Sequence, residues 1–221
     1  MTAKWPRVRR AILDACRGPL KAALVCFMQT KLYAWILLRL LPNIRFSTSY
    51  SRMTGRQYAA LYDTLEPGDI ILAIDYHNLT GFLIPKITGG EVSHAALCVS
   101  KGGQDYEVAE MQASGYTKAM FYDVCRNADR VIVGHCTDWD AAYKKLVVER
   151  CLTFEGVPYD IQFTLGIKSL ACSELVYEAD FERRLKCSLE DTAGLGRPYI
   201  SPEGIRRSEN FVVKADSSSM R

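Results

Sequence analysis

Two apolar runs, Val92-Ser93-His94-Ala95-Ala96-Leu97-Cys98-Val99 and Tyr106-Glu107-Val108-Ala109-Glu110-Met111, flank the turn-forming Gly102-Gly103-Gln104-Asp105. No other feature constrains the fold as much, because short apolar runs on either side of a Gly-rich turn specify an antiparallel hairpin. In such a hairpin the start of the first strand lies beside the end of the second, so His94 comes close to Glu110. Glu107 competes for the same place, but strand alternation sends it to the face opposite Glu110.

Further elements surround the hairpin. Ile70-Ile71-Leu72-Ala73-Ile74 follows the turn Glu66-Pro67-Gly68-Asp69 and reads as a buried strand, with Asp69 as a turn residue. Gln57 to Leu65 reads as a short helix, and Leu79 to Gly90 as a loop or short helix. Arg130 to Gly134 reads as another strand, and Asp138 is expected to cap a helix running through Phe154. This order predicts an α+β fold: a small antiparallel sheet, partly closed into a barrel, packed on a helix that carries Cys172.

Cys172 lies in Ser169-Leu170-Ala171-Cys172-Ser173-Glu174-Leu175-Val176-Tyr177, where Leu175, Val176 and Ala179 recur at helical spacing and Ser169 is the expected N-cap. The first turn of a helix suits a nucleophilic thiol. Free N–H groups and the positive end of the dipole stabilise a thiolate there, and can later hold an oxyanion. A lone cysteine also packs well as a small hydrophobe, so its chemistry depends on a base elsewhere. His94 and Glu110 supply the remaining parts of a nucleophile, base and orienter set. His77 and His135 read as solvated or capped loop residues.

The other cysteines do not suggest a metal centre. The eight lie at 16, 26, 98, 125, 136, 151, 172 and 187, with no CxxC pair, and the spacing of His94, Cys98, His135 and Cys136 fits no common zinc pattern. No cofactor is expected, and such cysteine usage points to a reducing compartment. The net charge of +3, with basic residues spread along most of the chain, gives no electrostatic footprint for nucleic acid.

Residues 1–46 are different. Nine lysines and arginines there face one acid, Asp14, and Ala22 to Leu41 is an apolar run of near-spanning length ended by Pro42. Lys31 at its middle costs about 2.5–3.5 kcal/mol for insertion, which disfavours spanning. No small-residue cleavage site follows the run, which disfavours a signal peptide. Two readings stand open: a helix at a membrane interface, or one packed on its own domain. The expected divisions are this segment, a linker and short helix at 47–64, a catalytic domain at 65–213, and a disordered tail at 214–221. A cytoplasmic or peripheral membrane location follows.

Taken in order, these pieces resemble the circularly permuted papain-like amidases of the NlpC superclan, the YiiX and YebB type, related to the lecithin:retinol acyltransferase group. The matching pieces are Pro67-Gly68-Asp69-Ile70-Ile71, Ser93-His94-Ala95, Val108-Ala109-Glu110 before Gly115, Gly156-Val157-Pro158-Tyr159-Asp160, and Ala171-Cys172-Ser173-Glu174-Leu175-Val176. Ordinary papain-like enzymes place the cysteine before the histidine. Here the histidine strand comes first. The resemblance implies that Cys172 is the nucleophile, His94 the general base and acid, and Glu110 the group that orients His94. It implies a thiol hydrolase cleaving an amide through an acyl-enzyme, in a cell-wall stem peptide or an acylated amine. Acyl transfer or hydrolysis of a lipid at a membrane, and a membrane-associated binding protein without turnover, are the alternatives. Ala171 stands where many relatives carry an aromatic residue, which opens the wall of the expected pocket.

Overall fold

The computed structural model describes residues 19–46, 53–191 and 197–220. The start of the basic segment and most of the expected linker lie outside the described residues. In chain order the elements are α1 (Pro19–Met28), α2 (Lys31–Trp35), α3 (Gly55–Tyr62), β1 (Ile70–Ile74), α4 (Leu79–Thr88), β2 (His94–Lys101), β3 (Tyr106–Gln112) and β4 (Gly115–Met120). They continue with α5 (Phe121–Arg126), β5 (Arg130–Cys136), α6 (Ala141–Leu152), α7 (Cys172–Ala179), β6 (Glu190–Asp191), β7 (Pro198–Tyr199), α8 (Pro202–Arg206) and β8 (Phe211–Asp216).

Six strands form one antiparallel sheet in the order β4-β3-β2-β1-β5-β8, and β6 and β7 form a separate ribbon. The fold is the expected α+β arrangement, but the sheet is open, with β4 and β8 at its edges and no closed barrel. β1 is buried at every position, so helices cover both faces. Ile70, Leu72, Leu97, Ala109 and Ile132 meet Tyr143 and Val147 of α6 and Leu175 and Val176 of α7. Residues of the other parity, Ile71, Ala73, Ala96, Val108 and Val131, meet Leu61, Leu65 and Phe121. Two-sided burial explains why β1 reads as a continuous apolar run without alternation.

Several boundaries differ from the sequence expectation. The tail expected at 214–221 is not free: β8 runs to Asp216, whose carboxylate takes a forked pair from Arg130 at 2.9 and 2.6 Å. A boundary at 213 therefore cuts a paired strand. The α6 helix is capped by Asp140, whose Oδ1 accepts the Tyr143 N–H, and not by Asp138. Asp69 is a turn residue as expected, but it is fully buried and paired with Lys144 and Lys214.

The apolar run at 22–41 is a broken helix. Thr30 accepts the Tyr33 N–H at 3.1 Å and starts α2, while the Met28 carbonyl, free at the end of α1, accepts Gln162 Nε2 at 2.7 Å. Thr in a cap geometry competes with helix continuation, and a distant donor satisfies the carbonyl that the break exposes. Past Trp35 the chain continues through a π-turn at Ile36–Leu40, and Pro42 lies within a final 3-10 turn.

Leu175 is fully buried between the sheet and α6, and the helix carrying Cys172 depends on that contact. Leu175→Ala is expected to cost about 2–5 kcal/mol in urea unfolding, with the slope of the transition unchanged. A loss below about 1 kcal/mol would show that α7 is held by other contacts.

Candidate active site

Cys172 is the first residue of α7, as close to the helix N-terminus as an intrahelical residue can be. The N-cap is Ala171, not Ser169. Ala171 has no side-chain oxygen, and its own N–H is accepted by Glu174 Oε2 at 2.8 Å, the reciprocal half of a capping box. Ala171 is itself buried. The N–H groups of the first turn have no acceptor within the helix and point towards the thiol end.

His94 opens β2, and Glu110 lies on β3. Their Nε2 and Oε2 atoms are 2.7 Å apart. The register that joins them is set by a bulge. Near the turn, Lys101 pairs with Tyr106 and Ser100 with Glu107, but beyond an irregularity between Cys98 and Ser100 the pairs become Cys98 with Val108 and Ala96 with Glu110. In the register of the turn, His94 would share a face with Glu107. The extra residue moves the pairing by one and puts His94 on the face of Glu110. Glu107 meets Ser100 Oγ instead, at 3.3 Å.

Besides Glu110, the His94 ring shares a side-chain hydrogen bond with Cys172. Burial alone would push the imidazole down, but its bonds to Cys172 and Glu110 overcome that and hold it up at about 10. Burial pushes the Cys172 thiol up; the bond and charge of His94, followed by the N–H groups of Ala95 and Ser173, bring it below its ordinary value. For Glu110, burial raises the carboxyl, while His94 and Gln112 pull it below the usual range. The three directions agree on one state: thiolate, imidazolium and carboxylate. Cys172 is 5% exposed and the His94 side chain 23%, so the imidazole retains an open side.

Two further residues bear on the site: Gln112, which sequence reasoning missed, and Tyr159, which lies in one of the matching motifs but outside the expected catalytic set. Gln112 Nε2 donates to Glu110 Oε1 at 2.8 Å and so fixes the oxygen that His94 does not use. Its signal was the spacing of two from Glu110, which places both on one face of the strand. Tyr159 lies close enough to Cys172 to feel its charge. It is held by a bridge to Leu170 in the loop before α7. Gly115 permits this loop to approach: at φ +103° its Cα faces the Val157 carbonyl, and an added Cβ would lie 2.7 Å from that oxygen. By contrast, Tyr177 stacks on Arg183, with the guanidinium carbon 3.8 Å from the ring centroid.

The described cysteines are free thiols. Burial pushes Cys136 up to about 11 and Cys151 and Cys187 to about 12, the opposite direction from Cys172. One group of described residues, Asp75, His77 and Asp129, brings a potential metal-ligand atom from each within 4.8 Å of the others. Its atoms also bond within the corner: His77 Nε2 lies 2.9 Å from Asp129 Oδ1, and Asp75 accepts the His77 N–H at 2.7 Å. His77 is thus a half-buried, paired residue and not the solvated one expected.

Residues 64–215 match the profile of a family described as permuted papain-like amidase enzyme, YaeF/YiiX, C92 family. The chain is also similar to a solved structure from Escherichia coli O157:H7, described as the metalloprotein YiiX. The TM-score is 0.60 at 15% identity, over 69% of this chain and 97% of that one. At that identity the likeness is one of fold. No curated protein matches the sequence significantly.

The thiolate state has a direct consequence for alkylation. Because the Cys172 pKa is lowered, it should react with iodoacetamide at lower pH than an ordinary thiol, and Cys136, Cys151 and Cys187 should react only at much higher pH. In His94→Ala the imidazolium is gone while burial remains, so the Cys172 profile should move up in pH. Peptide mass spectrometry across a pH series checks this, and an unmoved profile in the variant would break the pairing.

Proposed function

Because the chain belongs to the permuted papain-like amidases, we propose that it hydrolyses an amide bond through a thioester on Cys172, with His94 as acid and base and Glu110 as the residue that orients His94. The observation that carries this reading is the position of His94, which bonds Glu110 through Nε2 at 2.7 Å and shares a hydrogen bond with the Cys172 thiol. That arrangement supplies a nucleophile already charged and a proton already placed for the leaving group.

Cys172 Sγ attacks the carbonyl carbon, and the carbonyl electron pair moves onto oxygen. N–H groups at the start of α7 stabilise this oxyanion. Collapse breaks the C–N bond as His94 gives its proton to the leaving amine, which departs neutral. A water then loses a proton to His94 and attacks the thioester, and the carboxylic acid leaves as the thiolate is restored. Glu110 keeps the ring oriented through both halves and favours its charged form, assisted by Gln112.

The substrates proposed are amides of two kinds, the stem peptides of cell walls and acylated amines. Incubation with one of each, followed by intact-protein mass spectrometry, should show an acyl adduct on Cys172 and release of the amine. Cys172→Ala should lose both. His94→Ala should lower kcat by roughly 10²–10⁴-fold, with a smaller change in KM. Turnover that survives in Cys172→Ala would overturn the mechanism. Tight binding of either compound with no adduct and no amine released would favour the binding-protein reading.

Wild-type kcat/KM should be bell-shaped. It rises as pH climbs through the lowered Cys172 pKa and falls as His94 loses its proton near 10. A single rise without a fall at high pH would remove His94 from the acid role.

A further inference from the structure

We infer that the outer surface of residues 22–46, together with α4, is a docking face for an anionic lipid leaflet. The inference does not depend on the chemistry proposed for Cys172. It rests on three observations about one patch.

The first is charge. Between Asp14 and Asp63 the chain contains no acidic residue, and Lys31, Arg39 and Arg45 are exposed along the described part of that stretch. The second is apolar exposure on the same elements. Leu32, Trp35 and Ile87 keep more than half of their surface in solvent, and Phe27, Phe46 and Phe82 are also exposed. The Phe46 and Phe82 rings meet edge-to-face at 6.0 Å, which joins the N-terminal segment to α4, and Lys86 lies 5.6 Å from the Phe82 centroid. Large apolar side chains interspersed with lysine and arginine on short helices are suited to the boundary between headgroups and acyl chains.

The third is that the segment is fastened. The Phe46 N–H donates to the His77 carbonyl at 2.7 Å and the Leu79 N–H to the Ile44 carbonyl at 2.9 Å. At the other end, Gln162 holds the Met28 carbonyl. These bonds fix the backbone of the segment on the domain while Phe27, Leu32, Trp35 and Phe46 stay exposed. No single helix among the described residues is long and apolar enough to cross a membrane. Ala22–Met28 and Lys31–Asn43 pass that test only together, and they are bent by 64°. A bent, fastened pair suits a surface contact better than a span.

Among possible occupants, a second copy of the chain fits poorly. A two-fold contact through this patch would bring two sets of Lys31, Arg39 and Arg45 together, with no acid in the stretch to offset them. An anionic leaflet offers the complementary charge.

Sedimentation of the full chain with vesicles tests this, using phosphatidylcholine alone and phosphatidylcholine with roughly one-quarter phosphatidylglycerol. Binding to the anionic vesicles should be about tenfold or more above the neutral ones at about 0.1 M salt, and should weaken about tenfold when salt is raised to about 0.5 M. Leu32→Ser with Trp35→Ser, and separately Lys31→Gln with Arg39→Gln, should each lower binding about tenfold. Circular dichroism and Cys172 alkylation should stay as in wild type, which shows that the variants fold. Independently, lipid with brominated chains should quench part of the tryptophan fluorescence, and Trp35→Phe should remove that part. Equal binding to neutral and anionic vesicles would overturn the inference, as would binding unchanged in the variants. So would a concentration-dependent dimer, lost in the variants, with no vesicle binding.

Discussion

The imidazolium of His94, held between a thiolate and a carboxylate in a nearly closed site, is the interaction on which the rest of this structure depends. Burying a single charge costs several kcal/mol, and burying three is tolerable only where each is paired and hydrogen-bonded. Here the cation stands in the middle. Ala95 and Ser173 give N–H groups to the thiolate, and Gln112 gives an amide to the far oxygen of Glu110. Glu174, two residues after Cys172, is also a buried carboxyl; burial raises it to about 8, so at neutral pH it is mostly protonated and adds little negative charge to α7.

The fold meets this electrostatic demand with a few backbone devices. α7 must begin at Cys172, and Glu174 secures that by accepting the Ala171 N–H. The hairpin must present His94 and Glu110 on one face, and the bulge near Val99 secures that. Apolar burial on both sides of β1 then fixes the sheet to which both elements belong. Without the extra residue of the bulge, Ala96 would pair with Met111 and Glu110 would turn to the opposite face from His94, so the pairing is as sensitive to backbone register as to side-chain identity.

Much of this was readable in the chain. The turn at 102–105 located the hairpin, alternation separated Glu107 from Glu110, and the spacing of Leu175, Val176 and Ala179 put Cys172 at a helix start. The bulge was not readable, because Val99 and Ser100 are ordinary strand residues and only pairing across the hairpin shows the extra position. Ser169 looked like the better cap, yet the cap bond came from Glu174, a side chain reaching back from within the helix. The end of the chain read as disordered from its serines, while Asp216 is drawn into the sheet by Arg130, some 86 positions earlier. The run at 22–41 read as one helix because composition does not show that Gln162 satisfies the carbonyl at the break. Apart from the Glu174 cap, the deciding partner is remote in sequence or belongs to the backbone.

The central claim is that folding creates a charged pair at Cys172 and His94 before any substrate arrives. The most direct measurement is the titration of the His94 ring by nitrogen NMR, in wild type and in Cys172→Ala. The wild-type ring should stay protonated to about pH 10, and its pKa should fall when the thiolate is removed. A ring titrating near 6.5 in both proteins would mean that thiol and imidazole rest neutral, and the preformed pair would have to be abandoned.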